Sequence, residues 1–171
     1  MTLWRQEWNG GLNQRSGPLI AAAVAAALIT LCPAPSLAQA TTERVVINRV
    51  SGYAISGYDP VAYFTDGGAV VGRGDYEFVY DRAVWRFRNE GNLNAFREHP
   101  EVYEPLFGGY DPVTVAQGKA VEGRPQIFAV VDSRLMLFSS RENRDTLMKG
   151  PRAWLATASQ RWPALAQELA Q

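Results

Sequence analysis

The sequence predicts an α+β fold made of two copies of one unit, each a β-hairpin followed by a short helix. The five residues GYDPV at positions 57–61 return at positions 109–113, 52 residues later. The segment GGAVVGR at positions 67–73 is echoed by GKAVEGR at positions 118–124, 51 residues later. Such a fixed spacing predicts internal units at about residues 57–107 and 109–160. We expect the units to share one core, because a unit of about 50 residues buries too little apolar surface alone.

Bulk composition restricts the classes of function. The chain has 171 residues and a formal net charge of zero. Nucleic acid is therefore not expected as a partner, since binding its backbone needs a basic surface. The one cysteine, Cys32, lies in the N-terminal leader. A mature chain without it can hold neither a disulfide nor a thiolate metal site, so thiolate-bound zinc or copper is not expected.

The first forty residues have the pattern of a secretory signal peptide. Arg5 and Arg15 precede an uncharged apolar run at residues 19–32, and an Ala-x-Ala cleavage site follows. This run is shorter than the roughly 20 residues that span a bilayer, which argues against a membrane anchor. We predict cleavage near Ala38 or Ala40 and a bacterial periplasmic or secreted protein, without membrane contact once the signal is removed.

The elements of the first unit follow from periodicity and turn residues. Residues 41–50 are predicted to hold a lead-in strand around VVI at 45–47, before a domain at residues 51–165. An Asp-Pro turn opens the unit at residues 57–64. A hairpin is predicted from 76–80 to 84–87, then a helix from 89 to 98 that stops at Pro100.

The second unit repeats these elements. Its turn is at residues 109–112, its hairpin runs from 127–131 to 135–138, and Ser140 is predicted to cap a helix over 141–149. Pro151 can open a last helical stretch. We expect Trp162-Pro163 to break it, leaving residues 166–171 as a tail.

Asp59 and Asp111 occupy equivalent positions in the repeat and allow two interpretations. An aspartate before proline commonly caps its own turn. Alternatively, two carboxylates brought together by pseudo-twofold packing could bind a hard cation or divide acid–base roles. His99, the only histidine, could cap a helix end or join Asp59 and Asp111 as a metal ligand. A divalent metal ion is thus the candidate cofactor.

Aromatic residues also recur at the repeat spacing. Most are expected in the core that joins the units. The alternative is a ligand pocket between units, lined by Tyr58 and Tyr110 beside Asp59 and Asp111. Arg73 and Arg124 could clamp an anion there, or lie on the surface. The sequence contains no nucleophile elbow, P-loop or dinucleotide fingerprint, so nothing favours an enzyme.

Several of these patterns, in order, resemble the YHS domain in its exported two-unit form. They are GYDPVAYF at 57–64, WRF at 85–87, His99-Pro100, FGGY at 107–110, VAQGK at 115–119 and the final WP at 162–163. The resemblance covers roughly residues 50–165. It implies a small α+β fold related to treble-clef zinc modules.

The sequence departs from this family where soft metal ligands would lie. In metal-binding relatives a cysteine follows the Asp-Pro-Val, and another lies just after the second strand. Here these positions are Ala62 and residues 88–92, and Asp111 replaces the cysteine that usually follows Gly-Gly-Tyr in exported relatives.

Three hypotheses result. The first is a periplasmic YHS-type binding or accessory module, linked to metal handling, that binds an unknown small ligand or periplasmic protein. The second is a small enzyme that uses Asp59, Asp111 and His99. The third is a structural or protein-interaction domain that has lost its metal site.

Overall fold

The computed structural model describes residues 45–48 and 51–170. The predicted signal peptide, and most of the predicted lead-in at residues 41–50, lie outside them. The described part is an α+β fold whose elements are α1 Ala62–Thr65, β1 Arg73–Tyr80, β2 Ala83–Phe87, α2 Glu90–Glu98, α3 Pro100–Tyr103, α4 Pro112–Ala116, β3 Arg124–Val131, β4 Arg134–Phe138, α5 Arg141–Met148 and α6 Pro151–Glu168. Short 3₁₀ turns at Ile55–Gly57 and Leu106–Gly109 precede α1 and α4.

The four strands form two separate antiparallel hairpins, β1–β2 and β3–β4. Both turns are two residues long and have positive φ at each residue, 43° and 63° at Asp81 and Arg82, and 49° and 59° at Asp132 and Ser133. Turns of this kind match the right-handed twist of the paired strands. Both predicted hairpins are therefore present, and each begins a few residues earlier than the alternation indicated.

A polar residue caps each of the two amphipathic helices. The side chain of Asn89 accepts a hydrogen bond from the backbone N–H of Asn92 at the start of α2. Ser140 accepts one from the N–H of Asn143 at the start of α5, which confirms the predicted cap. Helix α2 ends before Pro100, because proline disfavours a helical conformation at the preceding residue.

Side chains from both hairpins meet in one buried cluster. It contains Trp85 and Phe87 of β2, Phe96 of α2, and Leu135 and Leu137 of β4. Trp85 and Phe96 have ring centroids 4.9 Å apart. Aromatic residues thus supply much of this cluster, as the sequence predicted.

The predicted helix break at Trp162-Pro163 is wrong, because α6 runs unbroken from Pro151 to Glu168 with Pro163 inside it. Proline cannot donate to the carbonyl of Ser159, but both residues are exposed, so water can satisfy that carbonyl. Buried Ala158 and Leu165 hold the helix to its neighbours on both sides of the proline. No helix among the described residues combines the length and apolarity needed to cross a membrane.

The predicted lead-in strand is reduced to one contact in the described residues. Ile47 forms an isolated antiparallel bridge with Ala54. The preceding residue, Val46, donates its N–H to the carbonyl of Gly108 at 2.7 Å. This segment therefore touches the turns before both GYDP motifs.

Candidate functional site

Asp59 is fully buried and ties its turn to the end of the first hairpin. Its Oδ1 accepts hydrogen bonds from the N–H groups of Val61 at 2.8 Å and Ala62 at 3.2 Å. Its Oδ2 accepts from the N–H of Arg88 at 2.8 Å and from Nδ2 of Asn92 at 2.7 Å. One carboxylate thus holds together a turn, a strand end and a helix.

Asp111, also fully buried, makes the same contacts in the second half of the chain. Its Oδ1 accepts from the N–H groups of Val113 and Thr114. Its Oδ2 accepts from the N–H and the hydroxyl of Ser139, at 2.8 and 2.6 Å, and from Nδ2 of Asn143 at 2.7 Å. Asp111 therefore caps its turn, as one of the two interpretations predicted. It also binds the junction between β4 and α5, through Ser139 and Asn143.

Glycines allow the close approach that these contacts need. Gly57 and Gly109 have φ of 78° and 91°, a region that side chains rarely adopt. The carbonyl of Gly109 accepts from the N–H of Gly123, and a Cβ on Gly123 would lie 2.5 Å from Cβ of Leu137. The repeated glycines thus allow each GYDP turn to pack closely against its hairpin.

The residues predicted to hold a metal do not fit one. An ionised carboxylate has about four acceptor positions, and N–H or O–H donors already occupy those of Asp59 and Asp111. The His99 side chain is 64% exposed, and its Nδ1 lies 3.4 Å from Oε1 of Glu101. Within the described residues, no three His, Cys, Asp or Glu side chains are grouped to hold a metal ion. We derive no metal chemistry from this set.

The enzyme hypothesis depends on where His99 lies. It requires His99 within hydrogen-bond reach of Asp59 or Asp111. The hydrogen bonds and ion pairs among the described residues contain no such contact. His99 therefore has no base or acid partner at either aspartate.

Tyr58 and Tyr110 directly precede the two aspartates, and each forms an isolated β-bridge. Tyr58 is half-buried, pairs with Val71 in an isolated bridge, and its hydroxyl accepts from Nε2 of Gln126. Tyr110 is buried, pairs with Glu122, and lies 5.8 Å from the Trp162 ring. Ligand binding by the two tyrosines stays a prediction.

The arginines proposed as an anion clamp lie at the surface. The side chain of Arg73 is 63% exposed and pairs with Asp75, and Arg124 is exposed at the start of β3. These positions match the surface interpretation that the sequence left open.

A cleft lies elsewhere on the protein, and we call it the Arg134 cleft. Its volume is about 540 Å³, within the usual range for small-molecule sites. It is lined by Tyr80 and Asp81 at the first hairpin turn, residues 104–108, Arg134 at the start of β4, Trp162 of α6, and Val45. The cleft thus gathers side chains from both halves of the chain.

Arg134 carries an unusual polar group in this cleft. Its Nε is buried and has no hydrogen-bond partner among the residues that the structure describes. A buried donor without a partner costs about 1–3 kcal/mol. Such a group in a native protein needs an explanation.

The carboxylates of Asp81 and Glu104 also line the cleft, beside Tyr80. Burial raises the pKa of Tyr80, and the nearby Glu104, Asp81 and Glu101 carboxylates raise it further. The Tyr80 phenol therefore stays protonated at neutral pH and can donate a hydrogen bond.

Sequence reasoning did not find this site. The available signal was a break in the repeat, because Arg134 lies 51 positions after Ala83, a small buried residue at the same position of the first hairpin. The sequence patterns use Trp162 only in a predicted helix break and in the family resemblance.

The chain matches no protein-family model, no curated protein and no solved structure.

Proposed function

We propose that the protein is an exported binding module of the YHS type, which holds a small organic ligand in the Arg134 cleft and catalyses no reaction. The observation that carries the proposal is a cleft of ligand size lined by Arg134, whose Nε has no hydrogen-bond partner among the described residues. An oxygen acceptor on a ligand would pair with the guanidinium charge of this side chain.

The proposal includes the duplication of one unit. In the first hairpin Arg73 pairs with Phe87 and Glu77 with Arg86, and in the second Arg124 pairs with Phe138 and Phe128 with Leu137. Every one of these positions is shifted by 51 residues. Each hairpin also has its irregularity at the same place, after its first strand residue. Equal registers with equal irregularities support two copies of one unit.

The two aspartate networks support the same duplication. Arg88 and Asn92 donate to Asp59, whereas Ser139 and Asn143 donate to Asp111, again 51 positions further on. These contacts involve the GYDP motifs and the strand–helix corner, which are the places where the chain resembles the YHS domain. The networks are consistent with the YHS resemblance.

We favour an organic ligand over a metal ion for two reasons. The cysteines of metal-binding relatives are absent from the mature chain. The remaining candidates, Asp59 and Asp111, use their oxygens to accept internal hydrogen bonds. A link to metal handling would therefore not involve a metal held at these aspartates.

Export rests on the leader sequence alone. Expression of the full chain in a bacterium, followed by fractionation and mass measurement, tests it. We expect a periplasmic product that begins near Gln39 or Thr41, and a cytoplasmic product that begins at Met1 would overturn export.

A thermal-shift screen of the mature protein against a library of small metabolites tests binding. A ligand present at 100 times its Kd stabilises a protein by about 2.7 kcal/mol, which is several degrees in Tm for a domain of this size. The matched pair of variants is Arg134→Gln, in the cleft, and Arg124→Gln, exposed on the same hairpin. We expect hits that persist in Arg124→Gln and vanish in Arg134→Gln. Hits that are equal in both variants, or no hits, would contradict the proposal.

A further inference from the structure

We propose that the protein has a second site, a groove beside the turn of the second hairpin that binds a small phenol. We call it the Val131 groove. It is lined by Val131 and Asp132 at the turn and by residues 150–153 at the start of α6, and its volume is about 550 Å³. None of these residues lines the Arg134 cleft. The inference therefore goes beyond the proposed ligand of that cleft, and it uses the duplication proposed above.

The backbone around the groove has a counterpart in the first half of the chain. The two hairpin turns have similar positive φ angles, at Asp81 and at Asp132. Helices α3 and α6 both begin with a proline, after His99 at φ −140° and ψ 61° and after Gly150 at φ −164° and ψ 65°. These similar backbone conformations, 51 positions apart, allow the side chains of the two halves to be compared position by position.

In the first half an aromatic ring lies at this place. Tyr80 is the last residue of β1, and its ring meets that of Phe96 in α2 edge to face at 5.7 Å. Burial and three nearby carboxylates raise the pKa of Tyr80, and one of the three belongs to Glu101 in the first turn of α3. The phenol ring therefore covers the space between α2 and the start of α3.

The second half has no such ring. The equivalent of Tyr80 is Val131, and the equivalent of Phe96 is the fully buried Leu147. Valine is much smaller than tyrosine, so it leaves the place of the phenol ring open. Val131, Pro151 and Ala153 give this open place an apolar wall. A one-ring molecule fits such a groove, and covering the apolar wall would favour its binding.

The polar residues of the groove indicate which polar group the ring carries. Asp81 and Glu101 lie near the Tyr80 hydroxyl, and their equivalents Asp132 and Arg152 both line the groove. Among the described residues, neither of these two side chains takes part in an ion pair. A phenol hydroxyl can donate to the Asp132 carboxylate and accept from the Arg152 guanidinium. A carboxylate ligand would be repelled by Asp132, and an ammonium ligand by Arg152, so a neutral phenol is the best match.

An NMR titration of the isotope-labelled mature protein tests the inference. The probe is 4-methylphenol, because it reproduces the side chain of tyrosine. For a ligand of this size we expect a Kd on the order of 1 mM, with the largest shifts at the backbone N–H signals of Asp132 and Ala153. Toluene lacks the hydroxyl, and 4-methylbenzoate and 4-methylbenzylamine carry a charged group instead. We expect each of these analogues to bind at least about threefold more weakly.

Variants place the binding in the groove. Val131→Tyr supplies the missing ring from the chain itself and should abolish binding of 4-methylphenol. Val130→Tyr is the matched control: it adds the same ring at the preceding, exposed position and should leave the Kd unchanged. Arg152→Glu introduces the first-half residue at an exposed position of α6 and should weaken binding about three- to tenfold. An unchanged Kd in Arg152→Glu would overturn the inference even if Val131→Tyr did not fold.

The outcomes separate this inference from the proposed function. If toluene or a charged analogue binds as tightly as 4-methylphenol, the ligand class is wrong. If 4-methylphenol binds equally well to Val131→Tyr, it does not occupy the Val131 groove. If it does not bind at all, the inference also fails, while the thermal-shift screen with Arg134→Gln still decides the proposed function independently.

Discussion

Replacing Asp111 by asparagine should lower the free energy of unfolding of the mature protein by about 3–6 kcal/mol. The Asp111 carboxylate accepts from the Val113 N–H on one oxygen, and from Ser139 and Asn143 on the other. Asparagine keeps one acceptor oxygen. It can therefore accept hydrogen bonds from the Val113 turn or from Ser139 and Asn143, but not from both. At least two charge-assisted hydrogen bonds are lost, at about 1.5–3 kcal/mol each.

Urea unfolding followed by circular dichroism measures this change. A domain of this size is stable by about 5–15 kcal/mol, so Asp111→Asn can leave too little folded protein to measure. Ser139→Ala gives a milder test, because it keeps the backbone N–H and removes only the hydroxyl, which donates to Asp111 at 2.6 Å and accepts from Asn143 at 3.3 Å; it should cost about 1–2 kcal/mol. Asp132→Asn is the control: it is exposed at φ 49°, where asparagine is well tolerated, and should change stability by less than about 0.5 kcal/mol.

A loss below about 1 kcal/mol for Asp111→Asn, with an unchanged m-value, would refute the structural role of this carboxylate. An unchanged stability together with lost ligand binding would instead give Asp111 the functional role that the sequence left open.

Three further predictions concern packing, the last helix and pH. Gly123→Ala should lower the free energy of unfolding in urea by about 1–3 kcal/mol, because the new Cβ would lie 2.5 Å from Leu137. Gly68→Ala is the control and should have little effect, because no atom lies within 4 Å of its new Cβ. Equal losses of stability in the two variants would contradict the close packing at Gly123. Pro163→Ala should raise the free energy of unfolding by about 1–3 kcal/mol, because it restores a helical hydrogen bond. A lower free energy of unfolding in this variant would contradict the expected cost of the proline inside α6. Burial, aided by Tyr58 and Asp59, raises the pKa of Tyr63 above its ordinary value of 10.0, so stability should fall as pH rises above 10, where the unfolded chain loses the proton first. Tyr63→Phe should show a smaller fall than wild type, and the same fall in both would contradict burial as the cause.

Local signals explain the elements that sequence reasoning predicted correctly. The hairpins, the Ser140 cap and the turn caps at Asp59 and Asp111 all depend on residues within a few positions of each other. Alternation, turn residues and capping preferences report on such short distances. The 51-residue spacing then carried these assignments from one half of the chain to the other.

Contacts distant in sequence account for what was missed. Asn143 reaches Asp111 from 32 residues away, and no pattern in the chain indicates that this contact completes the acceptor set. Pro163 was interpreted from its local rule, although burial of Leu165 outweighs that rule. Arg134 lies in the cleft only because the turn of the other hairpin and α6 fold against it.

The most direct test of the central claim is an NMR titration of the mature protein with the small-molecule fraction of a bacterial periplasmic extract. The described residues contain three tryptophans, Trp85, Trp154 and Trp162, and their indole N–H signals can be assigned by Trp→Phe variants. The account predicts a shift of the Trp162 signal in wild type and in Arg124→Gln, and none in Arg134→Gln. An unchanged Trp162 signal in wild type, or the same shift in Arg134→Gln, would contradict it.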